Sequence, residues 1–323
     1  TVSAEERRNR RTELSSEQRR TGMLDARFHE AGPGVSEADM AKLREILQPT
    51  PEEGKMREEA VLQPWNAERV RKLAAEGATN NTATGPSGLT YAYLAQSTER
   101  TREVYAKVIE SAQEAGVRQE DWRRAYEWPV PKPGAGGATL DGARRICLVE
   151  VGAKMLDAEI GRGVAAEWKR LGTLHGWQGG FQKHRGAGEM AAAGVSVLDR
   201  ARRGKEPMYA VFLDVAKAFP SVPHFGLEIG LRRGAVTEKI MRAWLEAERG
   251  RESGEVTKVK MLTEWGPTDD MRAEGGVLMG QTGSPPKWLA FIDPLLWWLD
   301  AFGVKGVEVR RGGRRVAVMA FAD

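Results

Sequence analysis

The sequence predicts an α+β fold, with helices packed on a small antiparallel sheet. Three observations carry that expectation. Leu156, Ile160, Val164 and Trp168 recur every four residues, the spacing of one helical face. Residues 208–215 and 316–322 are short apolar runs that read as core strands, each with an aspartate at or near its end. The Gly312-Gly313 pair separates two alternating segments. Such a two-residue turn joins hairpin arms because glycine adopts positive φ without a steric penalty.

The elements follow in order. Residues 1–80 form a charge-dense, largely helical extension in which Arg7, Arg8, Arg10 and Arg11 alternate with Glu5, Glu6, Glu13 and Glu17, the pattern of a solvated helix. Pro49, Pro51 and Pro64 break it into short pieces. Gly85-Pro86-Ser87-Gly88 is a turn, and a helix is expected over 99–115 with Val104 and Val108 on one face and Gly116 as its stop. Prolines at 129, 131 and 133 force an extended chain over 128–133. Helices are expected over 151–169 and 187–203, the second closed by Gly204. The resulting organisation is an extension over 1–80, a middle region over 81–207 and a sheet-bearing region over 208–323.

Composition excludes several classes. With 323 residues, 41% of them hydrophobic and 29% charged, the chain can bury a substantial core and is not disordered throughout. Its single cysteine, Cys147, excludes a disulfide scaffold and a cysteine-cluster zinc site and reads as a small buried hydrophobe. The most apolar stretch, 288–304, is interrupted by Asp293, Pro294 and Asp300, so no membrane-spanning helix and no membrane partner are expected. His29, His175, His184 and His224 lack metal-ligand spacing and are assigned no catalytic role. The ten tryptophans, Trp297 and Trp298 among them, read as core or interdomain packing rather than base-stacking platforms.

The formal charge of +4 hides an uneven distribution: residues 122–185 carry 11 Lys+Arg against 6 Asp+Glu. A localised basic surface suits a phosphate-backbone partner, although a solvated helical face carries the same bias. The two strand-end aspartates, Asp214 and Asp323, are far apart in sequence. Brought together by the fold, paired carboxylates of this kind hold two Mg²⁺ for phosphoryl transfer. An aspartate at a strand end is also an ordinary turn former.

The letters around these residues resemble those of a known family. Phe212-Leu213-Asp214-Val215-Ala216-Lys217-Ala218-Phe219 is similar to the F-x-D-x-x-K-A-F palm motif of reverse transcriptases, nearest to the non-LTR retrotransposon and group II intron branch. Ala320-Phe321-Ala322-Asp323 resembles the start of the F/Y-A-D-D motif. Gly276-Val277-Leu278-Met279-Gly280 followed by Ser284-Pro285 is similar to G-V-x-Q-G-x-x-x-S-P. Upstream, Gly85-Pro86-Ser87-Gly88-Leu89 resembles G-P-D-G-I, Val130-Pro131-Lys132-Pro133-Gly134 resembles I-P-K-P-G, and Arg144-Arg145-Ile146 resembles R-P-I. Gln178-Gly179-Gly180-Phe181 with Arg185 is similar to Q-x-G-F-x-x-x-R.

The resemblance implies right-hand polymerase fingers over 81–207 and a partial palm over 208–323, the thumb lying outside the chain. It implies an RNA-directed DNA polymerase working on an RNA template, a DNA primer and deoxynucleoside triphosphates, with two Mg²⁺ (Mn²⁺ as substitute). Asp214 and Asp323 would be the catalytic metal ligands, with the carbonyl of Val215 completing a shell. Lys132 and Arg144 would reach the triphosphate, and Phe219 would be the steric gate against a 2′-hydroxyl. Gly280, Ser284 and Pro285 would shape the loop beside template and primer. Met279 stands where the family has Gln, and Met cannot reproduce the amide hydrogen bonds at the nucleotide. Arg145 and Pro220 also depart from the pattern, replacing Pro and Asp. The second Asp of the doublet and the returning strand are expected beyond Asp323. A non-catalytic, domesticated module that binds nucleic acid or protein is the alternative expectation.

Overall fold

The computed structural model describes residues 36–80, 82–133, 142–205, 207–249, 256–273, 275–302, 306–308 and 315–321. The chain divides into two units, residues 1–46 and 47–323. In the first, α1 (Glu37–Ile46) starts at Ser36, whose hydroxyl accepts from the Asp39 N–H at 3.2 Å. Glu37 and Asp39 in its first turn and Arg44 in its last complement the helix dipole. It buries no residue.

The second unit begins with α2 (Glu58–Val61), α3 (Ala67–Thr79), α4 (Tyr91–Gln96) and α5 (Glu99–Ala115). Met56, Val61, Trp65, Val70 and Ala74 all enter its main core, so residues 47–80 pack as part of the globular body. Helix α5 ends at Gly116 in the left-handed region (φ 63°), as its sequence predicts. Its buried face is Ala106, Ile109 and Ala112. Of the expected face, Val108 packs half-buried against the same core, whereas Val104, one turn earlier, is exposed.

Helix α6 (Val151–Leu171) runs through the core and buries all four residues of the predicted stripe. It is followed by α7 (Ala187–Gly204), the four-residue α8 (Ala218–Ser221), α9 (His224–Arg233), α10 (Glu238–Arg249) and α11 (Ser284–Ala301). No described helix is long and apolar enough to cross a membrane.

The sheet is small and mixed. Strand β1 (Arg124–Pro131) pairs antiparallel with β2 (Ala143–Val149) and parallel with β3 (Lys258–Thr263). Two short strands, β4 (Gly266–Pro267) and β5 (Met271–Arg272), both pair antiparallel with β3. Separately, β6 (Val307–Glu308) pairs antiparallel with β7 (Arg315–Val316). The α+β class therefore holds, with one parallel pair in place of a purely antiparallel sheet. The Gly312-Gly313 turn lies outside the described residues.

The expected core strand over 208–215 is not formed. Its described residues pair with no strand, and Tyr209 and Phe212 are 94% and 93% exposed. A strand requires a ladder partner. The other expected strand engages elsewhere: Val316 pairs with Val307, and Ala320 bridges Gln178 in parallel.

Two helices meet at a buried ion pair. Asp157 of α6 and Lys287 of α11 are both fully buried, with Nζ 2.9 Å from Oδ1. Asp157 also accepts from the Trp244 indole N–H (3.0 Å) and the Gly283 N–H (2.6 Å). Burial opposes its charge, but Lys287, Arg118 and these hydrogen bonds outweigh that and hold the carboxyl below its ordinary range. Its contribution to stability is therefore complete above the ordinary carboxylate range and is lost as pH falls through the folded value. Lys287→Met should cost about 3–5 kcal/mol at pH 7 by stranding a buried charge, and less near pH 4, where Asp157 can protonate. Urea unfolding at the two pH values checks this; an equal loss at both would contradict it.

Candidate functional site

The site begins at the end of the β1–β2 hairpin. Its register sets Val130 opposite Arg144 and Pro131 opposite Ala143. Beyond it the Lys132 N–H donates to the Gly142 carbonyl at 2.8 Å. Lys132 and Arg144 thus share one end of the hairpin, and both are exposed. Glu150, just before α6, accepts from the Ser87 N–H (2.7 Å) and hydroxyl (2.5 Å). That contact ties the Gly85–Gly88 turn to the start of α6. Gly85 is required there, since a Cβ would come within 2.6 Å of the Glu150 nitrogen.

The loop between β5 and α11 is built against β2 and α8. Met279 accepts the Cys147 N–H at 2.6 Å, and Gly280 has φ 104° with the Cys147 carbonyl 2.8 Å from where a Cβ would stand. Only glycine suits that backbone and that approach. Earlier in the loop, Val277 N–H donates to the Phe219 carbonyl (2.9 Å) and Gly276 N–H to that of Val222 (2.8 Å). At its end, the Ser284 hydroxyl donates to the Leu278 carbonyl at 2.7 Å, and Asp157 holds the Gly283 N–H. One loop therefore joins Arg144's strand to Phe219's turn.

The Phe219 ring lies between two others. Trp288 stacks on it at 6.0 Å and 25°, and Phe181 meets it edge-on at 6.0 Å and 78°. Phe181 adopts φ 51°, a conformation disfavoured for a bulky residue. Its segment is anchored on α11: the His175 N–H donates to Asp293 Oδ1 (2.7 Å), and His175 Nε2 lies 2.9 Å from Asp300 Oδ2. Asp293 also accepts from Arg233 and the Trp297 indole. Burial nevertheless pushes the Asp293 carboxyl above its ordinary value. The same segment holds the end of the described chain: Gly179 N–H donates to the Ala320 carbonyl (2.8 Å), and Ala320 N–H to that of Trp177 (3.1 Å).

The structure thus joins Phe219, Met279 and Gly280 through one loop that bonds β2 at Cys147, and sets Lys132 and Arg144 at the hairpin end. Val215 is half-buried against the main core. Asp214 is exposed in the unpaired segment, and Asp323 lies outside the described residues. Among the described residues no group of three or more His, Cys, Asp or Glu could hold a metal ion. The donor chemistry of Asp214 and the Val215 carbonyl suits Mg²⁺, but one described carboxylate does not make a two-metal site. Sequence reasoning missed Trp288 and the Asp157–Lys287 anchor. Neither gives a local signal, because their partners lie 69 and 130 positions away.

Neither the known protein-family profiles nor the curated proteins give a match to this chain.

Burial, and next the Glu127 charge, push the Cys147 thiol up to about 12. It should therefore resist a thiol reagent at pH 8 until the chain is unfolded. Fast labelling of the native protein would contradict its place behind Met279. Gly280→Ala should lower stability by about 1–3 kcal/mol, from strain at positive φ and the clash with Cys147. An unchanged thermal midpoint would contradict that.

Proposed function

We propose that this chain carries the fingers and the first part of the palm of an RNA-directed DNA polymerase of the retroelement type. The observation that supports this reading most is the convergence of separate motifs. Gln178-Gly179-Gly180-Phe181, Phe219 and the loop 276–284 are spread over more than 100 positions, yet hydrogen bonds and ring contacts join them, and the loop also bonds Cys147 on the strand that carries Arg144.

In this reading Lys132 and Arg144, exposed at one hairpin end, neutralise the triphosphate of the incoming nucleotide. Phe219, clamped between Phe181 and Trp288, presents a rigid edge to the sugar and excludes a 2′-hydroxyl. Asp214 and the Val215 carbonyl, with Asp323, are the groups that would hold Mg²⁺. Bound there, the metal would neutralise phosphate charge and activate the primer 3′-hydroxyl.

A second reading is a module that binds nucleic acid or protein without catalysis. Two observations favour it: Met279, whose side chain carries no amide, stands where the family has Gln, and the segment bearing Asp214 is unpaired and exposed.

Primer extension on an RNA template, by a chain that continues past Asp323, separates the two. Asp214→Asn should abolish extension, by about 10³-fold or more for a group acting directly on the transferred charge. Phe219→Ala should raise ribonucleotide incorporation relative to deoxynucleotide. Equal extension by the parent and Asp214→Asn would refute the polymerase reading. No extension by either, with nucleic-acid binding retained, would support the binding module.

A further inference from the structure

We infer that His175 is a pH-sensitive latch, holding residues 177–181 against α11 only while its ring is neutral. The residue is fully buried, and each of its polar groups is engaged. Its N–H donates to Asp293 Oδ1 (2.7 Å), and its carbonyl accepts from the Gln178 N–H (3.0 Å). Ring Nε2 lies 2.9 Å from Asp300 Oδ2, and the other ring nitrogen, Nδ1, accepts the Trp177 N–H at 3.3 Å.

The two ring contacts assign the tautomer. A neutral imidazole has one donor nitrogen and one acceptor. An ionised carboxylate only accepts and a backbone N–H only donates, so the proton sits on Nε2 and Nδ1 is bare. Protonating Nδ1 would set one N–H against another, that of Trp177. The added charge would at the same time tighten the contact with Asp300 on the opposite side. The ring therefore stays with α11 while the chain beyond it is displaced.

The bond that acid removes lies at the root of the segment. The Trp177 carbonyl accepts from the Ala320 N–H (3.1 Å), the Gly179 N–H donates to the Ala320 carbonyl (2.8 Å), and the Gly180 N–H donates to Gln178 Oε1 (3.0 Å). Further along, Phe181 meets the Phe219 ring. Phe181 and His184 both have positive φ, 51° and 66°. Such backbone persists only where its surroundings over-determine it, so losing one tether biases the segment toward release.

Other charged groups surround the ring. Asp293 and Asp300 come from α11, and Arg233 of α9 reaches Asp293 at 2.8 Å. Arg233 also lies over Trp297, whose indole meets the His175 ring edge-on at 5.1 Å. Arg185, from the same loop as His175, donates to the Gly176 and Gln178 carbonyls (2.7 and 2.8 Å). Asp293, which burial pushes above its ordinary value, can also gain a proton as pH falls, so the test must separate it from the ring. Imidazole ordinarily changes charge between about pH 5 and 8. The latch is closed above that range and opens as pH falls through it. Under the polymerase reading, opening would free Phe181 from Phe219; that consequence rests on the reading, whereas the latch needs neither nucleic acid nor metal.

The test is hydrogen exchange of the whole chain, expressed as protection factors at about pH 7.5 and about pH 5.5. Protection of residues 177–181 should fall about tenfold at the lower pH, while α6 keeps its own and so reports that the fold is intact. His175→Asn keeps an acceptor for the Trp177 N–H but does not titrate, and should stay protected at both pH values. Equal protection of the parent at the two pH values would overturn the latch. So would a loss in His175→Asn as large as the parent's, which would assign the effect to Asp293. Nitrogen-15 spectra of the labelled histidine rings give an independent decision: a protonated Nδ1 in His175 at the higher pH overturns the latch whatever the variant does. None of these measurements uses a template or nucleotide, so their failure is separate from a failure of primer extension.

Discussion

The arrangement of the globular body depends on a charge removed from water. Asp157 and Lys287 are both fully buried, and two ions can remain charged there only if each is almost fully satisfied by neighbours. Asp157 meets that demand by collecting Lys287, Trp244 and the Gly283 N–H. The consequence is geometric: α6, α10 and the start of α11 can meet in one arrangement only. Hydrophobic packing alone tolerates sliding between helices, whereas a buried ion pair with directed hydrogen bonds does not.

The same anchor reaches the candidate site. Gly283 ends the loop that begins at Gly276, and the loop's other bonds go to Phe219, Val222 and Cys147. Fastening its last residue to the core fixes Met279 and Gly280 against β2 and positions Trp288, one residue past Lys287, beneath Phe219. On the far side of that ring, Phe181 is held by the segment that His175, Asp293 and Asp300 secure to α11. Helix α11 thus supports the aromatic cluster from both directions. Its internal Pro294 follows Asp293, whose carboxylate engages His175, Arg233 and Trp297.

The sheet shows how one small element can serve two environments. Alternation along β1 sends Ala125 and Glu127 to the core and Tyr126 and Trp128 outward. The hairpin's far end carries Lys132 and Arg144 beyond the core-packed stretch.

Much of the helical framework was legible in the sequence. The limits of α5 and α6, the stop at Gly116 and the Gly85–Gly88 turn follow from local chemistry: periodic burial, capping and backbone freedom. The motif residues were legible as letters, and so was the basic bias of the middle region. What only the tertiary structure decided was pairing. An apolar run over 208–215 looks the same in one dimension whether or not a neighbouring strand satisfies its backbone, and here none does. The parallel partnership of β1 with β3, the buried Asp157–Lys287 contact and the exposed place of Trp128 among cations all join residues far apart in sequence. Local propensity determines how each segment coils or extends. Which segments meet is set by the burial and hydrogen-bond satisfaction of the whole chain.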